Sequence, residues 1–163
     1  MTQAGNSSVN PLVAYLLAAA LFFLSSCEKF VLDRQMEDLC KKDGGVKVYE
    51  TVTLPSSMFD NLGDPFPGWP TRSIEDRLGS DYRFVVETIF LKNGDPQKGE
   101  GRLARTSQRI YRRMDGKLLG ESVTYGRSGG DIVAYAHPSS NSCPLYPRAS
   151  DTVIRSVFLK RTK

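Results

Sequence analysis

Thirteen consecutive apolar residues, Leu12 through Leu24 (LVAYLLAAALFFL), stand ahead of every charge in this chain. The forty charged side chains, 22 basic and 18 acidic, all follow Cys27. The run has no polar face to turn to water, so it is not an amphipathic surface helix. As a helix it would reach roughly 20 Å, short of a hydrocarbon core of about 30 Å. Its length suits the apolar stretch of a secretory signal. The charged remainder is long enough to bury one core. The chain therefore divides into residues 1–26, a signal segment, and residues 27–163, one domain.

The border reads Leu24-Ser25-Ser26-Cys27. It resembles the lipobox of bacterial lipoproteins, and beyond that motif the chain resembles small lipoproteins of Gram-negative bacteria. The resemblance covers about residues 11–27. It implies that the Cys27 thiol carries a diacylglycerol, that the signal is cut just before it, and that the new amino group is acylated. Glu28 follows the cysteine, where the family tends to place Asp for inner-membrane retention. The resemblance therefore points to the outer membrane, facing the periplasm. An ordinary cleaved signal and an uncleaved N-terminal anchor are the alternatives.

If lipid occupies Cys27, two cysteines remain, Cys40 and Cys143. An oxidising compartment favours their pairing; the alternative is two free thiols. The one histidine, His137, and these cysteines lack metal-ligand spacing, so neither a metal nor a cofactor is expected.

Within the domain, Leu32, Met36, Leu39 and Cys40 share one helical face, which predicts a helix over Glu28–Lys42. Alternation then predicts strands at Val46–Leu54, Tyr82–Leu91, Arg102–Met114, Lys117–Tyr125, Asp131–His137 and Thr152–Lys160; for Arg102–Met114 a helix is the alternative, since Leu103, Ser107, Ile110, Tyr111 and Met114 also fit one helical face. Tyr82–Leu91 is apolar on both faces, as in a central strand. Asp115-Gly116 marks a hairpin. A helical turn fits Ser73–Leu78, and His137–Pro147 reads as a loop. The expected fold is α+β: an N-terminal helix packed on an antiparallel sheet of five or six strands, after a cleaved signal peptide.

Arg102, Arg105, Arg109, Arg112 and Arg113 occupy a stretch with no acid before Asp115. Arg105, Arg109 and Arg113, spaced by four, form a candidate anion-binding face; the alternative is pairing with Glu87, Glu121 or Asp131. Phe66 and Trp69 in GDPFPGWP form a candidate binding loop, or else cap the core. GRSGGD (126–131) lacks the Lys-Ser/Thr of a phosphate loop and reads as a turn. No catalytic signature is present. The expected function is non-catalytic binding at the envelope, with the membrane held through the N-terminal lipid and an anionic envelope component or an acidic protein as partner. Nucleic acid is excluded by export. The alternative is a small exported hydrolase.

Overall fold

The computed structural model describes residues 27–66, 73–131, 137–144 and 149–161. The expected α+β fold is present: helices pack on a five-stranded antiparallel sheet. The strands are β1 (Gly45–Val48), β3 (Tyr82–Asn93), β4 (Arg102–Arg112), β5 (Leu118–Ser128) and β6 (Ser140–Cys143). Their order is β1-β5-β4-β3, and β6 continues past β1 along the same side of β5. A second sheet joins β2 (Val52–Leu54) and β7 (Phe158–Lys160). The helices are α1 (Cys27–Asp43), α2 (Ile74–Leu78) and α3 (Ala149–Val157).

Two cores lie on opposite faces of β5. Leu32, Met36 and Cys40 of α1 pack with Leu103, Val123 and Tyr125. Val153, Ile154 and Val157 of α3 pack with Ile110, Leu119, Phe66 and Phe158. Successive side chains of a strand point to opposite faces. Val123, Tyr125 and Arg127 therefore face α1, while Gly120 faces α3. A Cβ on Gly120 would lie 2.5 Å from Val157 Cγ2, so the absent side chain is what lets α3 approach. Gly120→Ala is expected to cost about 1–3 kcal/mol through overpacking, read as a lowered urea midpoint.

Several strand expectations are corrected. Val46–Leu54 is two strands, because Tyr49 N and Glu50 N both donate to Leu119 O (2.8 and 3.0 Å) and turn the chain across the end of β5. Tyr82–Leu91 belongs to an edge strand, not a central one. Only its first half reaches the core, through Tyr82 and Phe84. Thr152–Lys160 is mostly helix: Val153, Ile154 and Val157 fall at i, i+1 and i+4, one helical face, and the strand begins only at Phe158. The pairing of that strand with β2 is parallel. The loop expected at His137–Pro147 contains β6. Most of the expected strand Asp131–His137 lies outside the described residues. Arg102–Arg112 is a strand, and Asp115-Gly116 closes its hairpin with β5, Gly116 taking φ +68°.

Candidate functional site

Arg105 and Arg109 share the α1 face of β4, but Arg113 lies beyond the strand, in the turn. The three do not form one row, because β4 ends at Arg112. Each guanidinium also has an acid. Arg105 Nη2 meets Asp43 Oδ2 at 3.1 Å. Arg109 donates to Glu121 Oε1 (2.8 Å) and Glu87 Oε2 (3.0 Å). Arg113 donates to Tyr82 O (2.8 Å) and reaches Glu75 at 3.5 Å. Arg112 is held by Glu50 and Asp115. Only Arg109 has the cross-strand acids that the alternative named, Glu87 and Glu121; Asp131 pairs with Lys29, and the other arginines take Asp43, Glu50, Asp115 and Glu75.

Phe66 is corrected from binding loop to core. It is 4% exposed and meets Phe158 edge-on at 4.8 Å between ring centroids. Its φ of +56° is unusual for a side chain of this size. Three hydrogen bonds hold it there: Phe66 N to Met58 O (2.7 Å), Arg77 Nε to Phe66 O (2.6 Å) and Arg77 Nη2 to Pro65 O (3.3 Å). Trp69 lies outside the described residues. Cys40 and Cys143 are joined, their Cα atoms 6.0 Å apart, which ties α1 to β6. The side chain of Cys27, at the first position of α1, is also outside the described residues. His137 is exposed.

Around α1, charges are knitted into the sheet. Arg127, 3% exposed, donates to both carboxylate oxygens of Asp33. Lys29 reaches Asp131, which accepts from Ser139 N (2.8 Å) and Ser139 Oγ (2.7 Å). Lys92 pairs with Glu28. At the far end of α1, Asp43 accepts from Tyr125 Oη at 2.6 Å as well as from Arg105.

The Tyr125 hydrogen bond, joined by Arg105, holds the Asp43 carboxyl below its ordinary pKa against the opposing effect of burial. Ser139, through side chain and backbone, does the same for Asp131. A carboxyl with a lowered folded pKa contributes stability above the unfolded value, about 3.9, and loses it as pH falls through the folded value. The urea midpoint is therefore expected to hold down to about pH 5 and to fall progressively below that. Asp43→Asn should be less stable at pH 7 and should show a shallower acid decline.

On the face turned away from α1, register brings small residues together. Phe90 opposes Ala104, Ala104 opposes Gly126, and Gly126 opposes Ser142. The next row is Arg102, Ser128 and Ser140. Cross-strand partners share a face, so Ala104 and Gly126 leave a floor near backbone level. A Cβ on Gly126 would meet nothing within 4 Å. The result is an open dish of about 430 Å³ lined by Arg102, Ala104, Gly126 and the serines at 128, 140 and 142.

Arg102 stands at its rim. Nε donates to Gly94 O at 3.1 Å, and the guanidinium lies 5.5 Å from the Phe90 ring centroid. No carboxylate pairs with it among the described residues, unlike Arg105, Arg109, Arg112 and Arg113. The dish thus offers a positioned cation, an aromatic flank and three hydroxyls, a set suited to an oxyanion beside a polyhydroxylated body. Sequence reasoning placed Arg102 in the arginine stretch but could not single it out. The signal lay in Ser140 and Ser142, whose stretch reads as loop.

Among the described residues, no group of three or more His, Cys, Asp or Glu could hold a metal ion. No helix among them is long and apolar enough to cross a membrane. Comparisons with protein-family profiles, with curated proteins and with solved structures find no match to this chain.

Proposed function

We propose that this is a lipid-anchored protein of the bacterial envelope, facing the periplasm, that acts by binding and not by catalysis. Its ligand is an anionic envelope component, a phosphorylated sugar, taken in the dish beside Arg102. The observation that carries the binding half is that guanidinium, fixed at the rim of an open hydroxyl-lined dish and free of any described acid. The anchoring half is supported by Leu24-Ser25-Ser26-Cys27, with Glu28 favouring the outer membrane.

Two further features fit the anchor. The Cys40–Cys143 bridge suits an oxidising compartment. The start of α1, directly after Cys27, exposes Phe30 (70%) and Val31 (60%). Further along the helix the exposed cations Arg34, Lys41 and Lys42 are interleaved with Glu37 and Asp38, so the apolar pair beside Cys27 is what suits a lipid interface. Each buried methylene contributes about 0.8 kcal/mol, so two or three acyl chains would hold the protein permanently. With α1 against the bilayer, the dish opens on the opposite side, towards solvent.

Titration with glucosamine 6-phosphate, followed by amide NMR shifts, tests the binding half. Shifts should centre on Arg102, Ser128, Ser140 and Ser142, and glucosamine should produce far smaller ones. Arg102→Gln should weaken binding tenfold or more, since a charge-assisted hydrogen bond contributes about 1.5–3 kcal/mol. Equal responses to both sugars, or shifts elsewhere, would remove the dish from the account.

A further inference from the structure

β3 has the composition of a buried central strand and the position of an edge. Val86, Ile89, Phe90 and Leu91 are 55, 46, 50 and 45% exposed, and they lie on both faces of the sheet. The strand runs for twelve residues, Tyr82–Asn93, and ends the order β1-β5-β4-β3. Edge strands are normally kept short, charged, interrupted by proline or covered. In β3 the one interruption is a bulge between Phe90 and Lys92. From Val85 to Leu91 the only charged residue is Glu87, and Arg109 already holds it at 3.0 Å.

We propose that the edge of β3, which no described strand covers, pairs with β3 of a second copy of this chain, joining two sheets into one. The choice of a second copy rests on self-complementarity. An antiparallel pair about a two-fold axis at Thr88 sets Thr88 against Thr88 of the second copy. Val86 then opposes Phe90, and Glu87 opposes Ile89. Val86 meets Phe90 and Val85 meets Leu91, Glu87 keeps its Arg109 partner while lying against Ile89, and no like charges stand directly opposite.

Thr88, Thr106 and Thr124 already form one cross-strand row, with Thr88 Oγ1 and Thr106 Oγ1 3.2 Å apart. Pairing at Thr88 continues that row across both copies. The axis stands perpendicular to the sheet, so each face keeps its side. Both α1 helices then share one face and both dishes share the other. That arrangement is compatible with two anchors in one bilayer, although the pairing does not depend on the anchor.

The full chain in detergent tests the pairing by light scattering. The wild type should show twice the mass of one chain, and the double variant Val86→Lys/Phe90→Lys should show a single mass with an unchanged circular dichroism spectrum. Oxidation of Thr88→Cys should yield a covalent dimer. Val86→Cys alone should not, but mixed with Phe90→Cys it should; unsubstituted chain treated alike corrects for its own thiols. A wild type of single mass at all concentrations would overturn the proposal, even if another protein's strand occupied the edge. So would lysine variants that keep the doubled mass, or cross-linking that is equal at 86 and 88.

Discussion

Replacing Cys143 with serine is expected to lower the free energy of unfolding by about 4–5 kcal/mol. The bridge joins residues 103 apart, so it restricts nearly two thirds of the unfolded chain. In the chain-entropy description, a loop of about 100 residues is worth about 4.7 kcal/mol. The folded side adds to the expectation. β6 is four residues long and, among the described residues, pairs only with β5. The bridge fixes its last residue to α1, inside the core around Leu32, Met36, Leu103 and Val123. Urea unfolding of the oxidised protein, the reduced protein and Cys143→Ser measures this. The two forms without a bridge should agree with each other. A loss below about 1 kcal/mol would mean that the α1–β6 junction stands without its covalent tie.

Arg127→Ala is the second large loss, about 3–5 kcal/mol. The side chain is almost fully enclosed, and each of its three nitrogens has an acceptor. Nε and Nη2 donate to Asp33 at 2.8 and 3.3 Å. Nη1 reaches Gly129 O (2.9 Å), Ser139 O (2.9 Å) and Ser139 Oγ (2.7 Å). Truncation leaves the Asp33 carboxylate in a largely enclosed place with only Asn141 Nδ2, at 3.2 Å, still donating to it from the described side chains. It also takes a donor from Gly129 O and Ser139 O, the second of which keeps Gly129 N at 2.9 Å. The size of the loss reflects those abandoned partners rather than the net worth of the pair. Two further variants separate the causes. Arg127→Lys retains the charge without the planar fork and should fall in between. The double replacement Arg127→Met/Asp33→Leu should regain a substantial part of the loss, because it leaves no uncompensated charge. A double variant no better than Arg127→Ala would show that the network acts by geometry and not by charge compensation.

Local patterns carried the sequence reading where one period was unambiguous. Leu32, Met36, Leu39 and Cys40, at i, i+4, i+7 and i+8, share a face on a helix but not on a strand, and α1 is there. Asp115-Gly116 between two extended runs can hardly be anything but a turn, and β4 and β5 close on it. The reading failed where two periods fit the same residues. Val153, Ile154 and Val157 suit an alternating strand nearly as well as a helix face; the space above Gly120 decides for α3, and nothing local reports that space. It failed again where strand order matters. The apolar residues of β3 imply burial on both sides, yet the sheet ends there. Those residues become intelligible if a second copy covers the edge.

The candidate site followed the same division. Arg105 and Arg109 were correctly placed on one face, but their acids come from α1, β3 and β5, and only the cross-strand ones, Glu87 and Glu121, could be named in advance. The acid for Arg113 comes from α2. Arg102 differs from its neighbours solely in lacking such a partner among the described residues, a property of the assembled sheet. Phe66 and Trp69 looked alike as loop aromatics until Arg77 and the Phe158 ring drew Phe66 inward.

The account turns on Cys27, since the compartment governs both the bridge and the class of ligand. Intact-mass and N-terminal peptide spectrometry of the protein taken from bacterial membranes measures it directly. The expected product is a chain that begins at Cys27 and carries diacylglycerol on sulfur and an acyl group on nitrogen. A chain that begins at Met1, or one whose Cys27 is unmodified, would contradict it.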